Sequence, residues 1–153
     1  MKSFTAVLAE VRACTICAEH LPHGPRPIVQ LHPQARILIA GQAPGSRVHA
    51  SGVPFDDASG ERLREWLGVS REIFYDAKQI AILPMGFCYP GTGKSGDLPP
   101  RPECATAWRD YWPAALPLPH PSPRNNIWLN KNPWFEKELL PVLRRRVAKI
   151  LAE

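Results

Sequence analysis

Apolar residues fall into patterned stretches separated by loops. Phe4, Val7, Leu8 and Val11 recur at the spacing of one helix face, which predicts a helix over Ser3 to Val11, ending near the first cysteines. Arg36 to Ala40 carries the continuous run Ile37-Leu38-Ile39-Ala40 closed by Gly41, which suits a short strand buried on both faces of a parallel sheet. Gln79 to Met85 reads as a second strand and Ala115 to Leu118 as a third, weaker one. Between the first two, Ser59 can cap a helix that runs to Leu67, with Leu63, Trp66 and Leu67 inward and Gly68 as the stop. Near the end of the sequence, Asn132 is a suitable N-cap and Pro133 suits a first helical turn. Trp134, Leu139, Leu140, Leu143, Val147 and Ile150 then populate one broad face, with Pro141 placed to kink the helix.

Strands alternating with helices predict an α/β sheet, and such sheets bind ligands outside the carboxyl ends of their strands. With 153 residues, 44% of them hydrophobic, the chain can bury one core, so a single domain over 1–153 is expected. The sequence has eighteen prolines, most of them clustered in Leu21 to Pro33, Pro84 to Pro102 and Pro113 to Pro123. These stretches read as stiff loops, because each proline fixes φ and removes a donor. No apolar run approaches the twenty or so residues of a membrane helix, and the N-terminus lacks a signal-peptide pattern, so a soluble, cytoplasmic protein is expected. A monomer is expected as well, although no feature of the sequence fixes the oligomeric state. A net charge of +5 favours a polyanionic partner without identifying one. Arg144, Arg145, Arg146 and Lys149 on the last helix read first as a solvated face that suits the C-terminal dipole.

Two loops carry candidate chemistry. The first, Gly41-Gln42-Ala43-Pro44-Gly45 followed by Gly52-Val53-Pro54-Phe55-Asp56-Asp57-Ala58-Ser59-Gly60, stands where the first strand hands over to a helix. Its small residues allow a backbone to approach a flat ligand closely. Phe55 can lie against a base, while Gln42, Asp57 and Asp56 offer polar groups, and His49 lies where it could face the same pocket. The same residues also make a plain turn around a buried phenylalanine. The second loop, His120-Pro121-Ser122-Pro123-Arg124-Asn125-Asn126, presents an imidazole, a hydroxyl, a guanidinium and two amides on a rigid backbone. A lone histidine is more often structural than catalytic. Trp128 and Trp134 beside it read as core residues.

Cys14 and Cys17 form a C-x2-C pair, and Cys88 and Cys104 are separated by fifteen intervening residues. In a cytosolic protein that pattern points to metal rather than disulfides. A zinc ribbon usually pairs two close knuckles, and here the second pair is wide. Two unrelated structural pairs or buried free thiols are the lesser alternative that the spacing leaves open.

Together these segments resemble the iron-sulfur branch of the uracil-DNA glycosylase superfamily. That family's first motif reads Gly-Glu-Ala-Pro-Gly, a spacer, Gly-x-Pro-Phe and a downstream Ala-Gly, similar to Gly41 through Gly60. Its second motif is a histidine after a short strand, then proline, a small residue and a loop that enters the DNA minor groove, similar to the segment from His120. Cys88-Tyr89-Pro90 and Pro99-Pro100-Arg101-Pro102-Glu103-Cys104 are similar to its Cys-x-Pro-Pro and Pro-x-x-x-Glu patterns.

The resemblance implies a three-layer α/β/α fold with a central, mostly parallel sheet, and a DNA-repair enzyme that flips uracil from DNA and hydrolyses its glycosidic bond. It implies that Phe55 stacks on the base within a pocket formed with Gly41, Ala43, Pro44 and Gly45. His120 then donates to uracil O2, and Ser122 holds substrate phosphate. Arg124, Asn125 and Asn126 contact DNA, and Cys14, Cys17, Cys88 and Cys104 hold a 4Fe-4S cluster.

Three departures stand out. Gln42 replaces the family's glutamate, and a neutral amide orients water but cannot accept its proton, so either catalysis relies on orientation and transition-state charge or Asp57 or Asp56 serves as the base. Pro84 stands where the family reads the uracil edge with an asparagine. The family's additional helix and strand between fourth cysteine and histidine are reduced to about residues 105–119. Two rival readings follow: a catalytically weak or inactive uracil- or DNA-binding protein of the same fold, and an iron-sulfur structural or redox module.

Overall fold

In the computed structural model, which describes residues 3–101, 103, 121–122 and 126–153, strand β1 (Ile37–Gly41) pairs in parallel with β2 (Ile80–Pro84). The register runs from Ile37 opposite Ile80 to Gly41 opposite Pro84. Gln30 bridges Ile82 antiparallel from the other edge, so β2 lies between two partners. The crossover from β1 to β2 carries three helices, α2 (Ser46–Ser51), α3 (Ala58–Leu67) and α4 (Arg71–Tyr75). The fold is thus α/β, with helices around a small parallel sheet. The third strand expected at Ala115 to Leu118 lies outside the described residues.

Burial on both faces holds for β2, where Ile80, Ala81 and Ile82 are all buried, but not for β1. Ile37 and Ile39 pack on the core while Leu38 is 44% exposed. The cause is that α3 and the C-terminal helix, which supply most of the core, pack on the side of Ile37 and Ile39. Helix α1 (Phe4–Arg12), capped by the Ser3 hydroxyl on the Ala6 amide, buries none of its residues and leaves Phe4 and Val7 exposed.

The core joins Leu63, Trp66 and Leu67 of α3 to Phe74, Ile80 and Ile82, and to Leu129, Phe135, Leu140, Leu143 and Val147 from the C-terminal region. Trp66 and Phe135 meet edge to face, 4.9 Å between ring centres. Full burial of side chains of this size stabilises by roughly 1.5–3 kcal/mol each.

Helix α3 is capped by Asp57 rather than Ser59. Asp57 has extended backbone, and its Oδ1 accepts from the Gly60 amide at 2.9 Å, whereas Ser59 already lies within the first turn. Gly68 ends the helix in the left-handed conformation. Arg144 donates from Nε and Nη2 to the Glu65 carbonyl at 3.2 and 3.0 Å, so this residue ties the last helix to the end of α3 instead of only facing solvent.

The C-terminal region is not one helix started by Asn132. Helix α5 (Asn126–Lys131) comes first, a turn follows at Asn132, Phe135–Leu139 forms a wide π turn, and α6 (Leu140–Ala152) completes it. Pro141 stands in the first turn of α6 and causes no mid-helix kink; lacking an N–H, it falls where the ladder changes from π to α. This shift points Phe135 inward, fully buried, and leaves Trp134 46% exposed, against the expectation that Trp134 packs the core. Among the described residues, no helix is long and apolar enough to cross a membrane.

Candidate active site

The site lies at the carboxyl ends of β1 and β2. Past the strands, the Met85 amide donates to the Gly41 carbonyl at 2.9 Å and the Gly86 amide to the Gln42 carbonyl at 2.8 Å, so both chains leave the sheet side by side. A cavity of about 430 Å³ opens there, within the size range of small-molecule sites. Gly41, Gln42, Ala43, Pro44, Gly45, Phe55, Asp57 and Ser122 all line it, with Ile28, Ile82 and Pro84 at its floor and Asp97 and Leu98 on its wall.

Phe55 is held in an uncommon way. Its φ is +56°, a left-handed conformation that a bulky residue rarely adopts. A Cβ on Gly60 would stand 1.8 Å from the Phe55 carbonyl oxygen, so only glycine fits beneath this turn. The Tyr75 hydroxyl donates to the Pro54 carbonyl at 3.0 Å, and Phe74 meets the Phe55 ring edge-on at 6.2 Å. Arg64, nearly buried, lies over the rings of Phe74 and Tyr75 at 5.4 and 5.8 Å and donates to the Tyr75 hydroxyl. Burial raises the Tyr75 pKa, which keeps its hydroxyl a donor to Pro54. The Phe55 ring also covers Gly41, whose absent side chain leaves that space free.

The two acids of the loop part company. Asp57 lines the cavity and caps α3 with one oxygen. Asp56 does not line it; its Oδ1 accepts from Arg71 at 3.0 Å, and that bond holds its carboxyl below the usual range. Asp56 is thereby a poor proton acceptor. His49 is also not among the lining residues. It packs against His23 and Tyr89, 5.7 and 5.6 Å between ring centres, with burial first, then Arg26 and His23, lowering its pKa.

The second loop reaches the cavity through Ser122. Pro121 is buried beside it, and Arg62 of α3 donates to the Ser122 carbonyl at 3.2 Å, which ties the second loop to α3. His120, Arg124, Asn125 and Cys104 lie outside the described residues. Asn126 is exposed at the start of α5 and does not line the cavity; the side chain of Trp128 is likewise not described.

A hairpin that the apolar pattern did not reveal completes the wall. Strands β3 (Thr92–Gly93) and β4 (Gly96–Asp97) pair antiparallel around Lys94 and Ser95, bringing Asp97 and Leu98 to the cavity. The Gly-rich run Gly91-Thr92-Gly93-Lys94-Ser95-Gly96 was the available signal, a two-residue turn flanked by glycines.

Cys17 and Cys88 are buried in one small cluster with Leu21, and Cys14 is half-buried. Burial pushes the Cys88 thiol up to about 11, and the neighbouring Cys17 and Cys14 add to that shift. Among the described residues no group of three or more metal-ligating side chains is close enough to hold a metal ion, Cys104 standing outside them.

Fold and site together define a small α/β domain with an aromatic-walled cavity at the ends of parallel strands. A family model described as the uracil DNA glycosylase superfamily matches residues 28–116, more than half of the chain. The chain belongs to that superfamily, whose members are mostly glycosylases acting on DNA.

Proposed function

We propose that this protein is a monofunctional uracil-DNA glycosylase, built on the three-layer form of the α/β fold. It flips deoxyuridine into the cavity, stacks the base on Phe55, and hydrolyses the N-glycosidic bond to leave an abasic site. The observation that carries this reading is the strained, locked Phe55 on the wall of a cavity at the strand ends, with Gln42, Asp57 and Ser122 around it. Flipping costs a few kcal/mol, least for a mispaired base, which favours uracil opposite guanine. As the bond lengthens, positive charge builds on the sugar and negative charge on the base. His120 donates to uracil O2 and stabilises the departing anion. Gln42 orients water, and the carboxylate of Asp57 lies on the same wall to stabilise the cationic sugar. Ser122 holds a neighbouring phosphate, with Arg124, Asn125 and Asn126 on the DNA beyond it. Among the described residues no lysine lines the cavity, and neither motif contains one, so a Schiff-base lyase step is not part of the reading.

Cys14, Cys17, Cys88 and Cys104 would hold a 4Fe-4S cluster. When bound it supplies a structural tie between the N-terminal segment and the loop beyond β2 rather than chemistry at the base. Iron and acid-labile sulfide assays on anaerobically purified protein test this. About four of each per chain, lost in Cys17→Ser, is the expected result; stoichiometric zinc would contradict it.

The second reading, a protein that binds uracil or abasic DNA without cleaving it, is favoured by Gln42 in place of an acid and by Pro84 in place of an asparagine. Uracil release from a single-uracil oligonucleotide, duplex and single-stranded, separates the two. Release that drops at least ~100-fold in His120→Ala supports the glycosylase, given the scale of such contributions. Tight binding with no free uracil supports the binding protein.

A further inference from the structure

Asp97 is the acidic residue of the cavity wall that neither motif contains. Its backbone lies in β4, paired with Thr92 of β3. Its Oδ1 accepts from the Thr92 hydroxyl at 3.2 Å, and that hydroxyl bonds in turn to the hydroxyl of buried Tyr89. Its Oδ2 is turned toward the strand-end loop: a Cβ on Gly45 would stand 2.9 Å from it and 4.0 Å from Oδ2 of Asp57. Two carboxylates from separate parts of the chain thus face one spot on the cavity wall, and the missing side chain of Gly45 leaves that spot open.

Their chemistry can be assigned by charge. A departing base gains negative charge, so a carboxylate against its edge would oppose departure. Against the sugar and the attacking water, the same charge stabilises the cation and can take a proton. Of the acids near the cavity, Asp56 is engaged by Arg71 and Asp57 spends one oxygen on the α3 cap. Asp97, like Asp57, has one oxygen engaged, here by the Thr92 hydroxyl, and its Oδ2 is the nearer of the two to the open spot at Gly45.

Resting on the glycosylase reading above, we propose that Asp97 is the general base that takes the place of the acid missing at Gln42. Oδ2 of Asp97 accepts a proton from water as the water oxygen bonds to C1′ of the sugar. The C1′–N1 bond breaks with its electron pair leaving on uracil. The proton on Asp97 passes to solvent, and the uracil anion is protonated from solvent. Thr92 is a positioning residue for this carboxylate.

The test is single-turnover uracil release by the wild type, Asp97→Asn, Asp97→Ala, Thr92→Val and Thr92→Ser, together with binding of each to an uncleavable 2′-fluoro-deoxyuridine oligonucleotide. Asp97→Asn is expected to lose at least ~100-fold in rate while binding within about threefold of wild type. Added formate should partly restore Asp97→Ala, and Thr92→Ser should keep the rate that Thr92→Val loses. An active wild type matched within threefold by Asp97→Asn overturns the assignment and leaves the glycosylase reading intact. So does an Asp97→Asn variant whose rate on uracil is kept but whose base preference changes. A wild type that releases no uracil overturns both.

Discussion

The carbonyl oxygen of Phe55 occupies the place where any side chain on Gly60 would begin, 1.8 Å from an ideal Cβ. The left-handed backbone of Phe55 and the bare first turn of α3 are therefore one structural feature. Gly60→Ala forces the Pro54–Phe55 turn to move, at roughly 2–3 kcal/mol by analogy with overpacked cores. Urea denaturation should show that loss, and uracil binding should weaken with it. A variant as stable as wild type with unchanged binding would contradict this account of Phe55.

Asp57 has two separable duties. Its Oδ1 caps α3, while its charge stands in the cavity. Asp57→Ala should cost about 1 kcal/mol of stability, the usual worth of an N-cap. Asp57→Asn keeps a capping oxygen and should unfold within a few tenths of a kcal/mol of wild type, yet lose part of the uracil-release rate. Equal loss of stability in both variants would show that the cap does not depend on the side-chain oxygen.

The Asp56–Arg71 pair predicts a pH effect of defined sign. The hydrogen bond from Arg71 lowers the carboxyl below its ordinary 3.8, so the unfolded chain takes up the proton first as pH falls. The contribution of the pair is present above that ordinary value and is lost as pH drops through the lowered one. Carbonyl-detected NMR titration should find the Asp56 pKa moving up toward its ordinary value in Arg71→Ala. An unchanged midpoint would remove Arg71 as the cause.

Much of this site was legible in the sequence because its residues sit at fixed offsets from a strand end. Gly41, closing an apolar run, placed the first loop at the carboxyl end of β1, where the cavity opens. What was not legible depended on local backbone geometry and on which face of an element is covered. The cap of α3 moved from Ser59 to Asp57 because extended backbone at Asp57 aims its oxygen at Gly60, a matter of φ rather than residue type. Trp134 and Phe135 exchanged places because a π turn rotated the face that periodicity had assigned to a regular helix. Asp97 was missed because its hairpin has paired strands of only two residues each, too short for alternation to register. Leu38 looked like core, since an apolar run carries no sign of which face is covered.

The most direct test of the central claim is cleavage at an abasic site. A duplex with one U·G pair, incubated with the protein and then treated with alkali, should break at the uracil position alone. Matched duplexes with C·G or T·A at that position should stay intact, and Phe55→Ala should reduce breakage at uracil. An intact uracil strand, with the protein folded and bound to it, would contradict the glycosylase account.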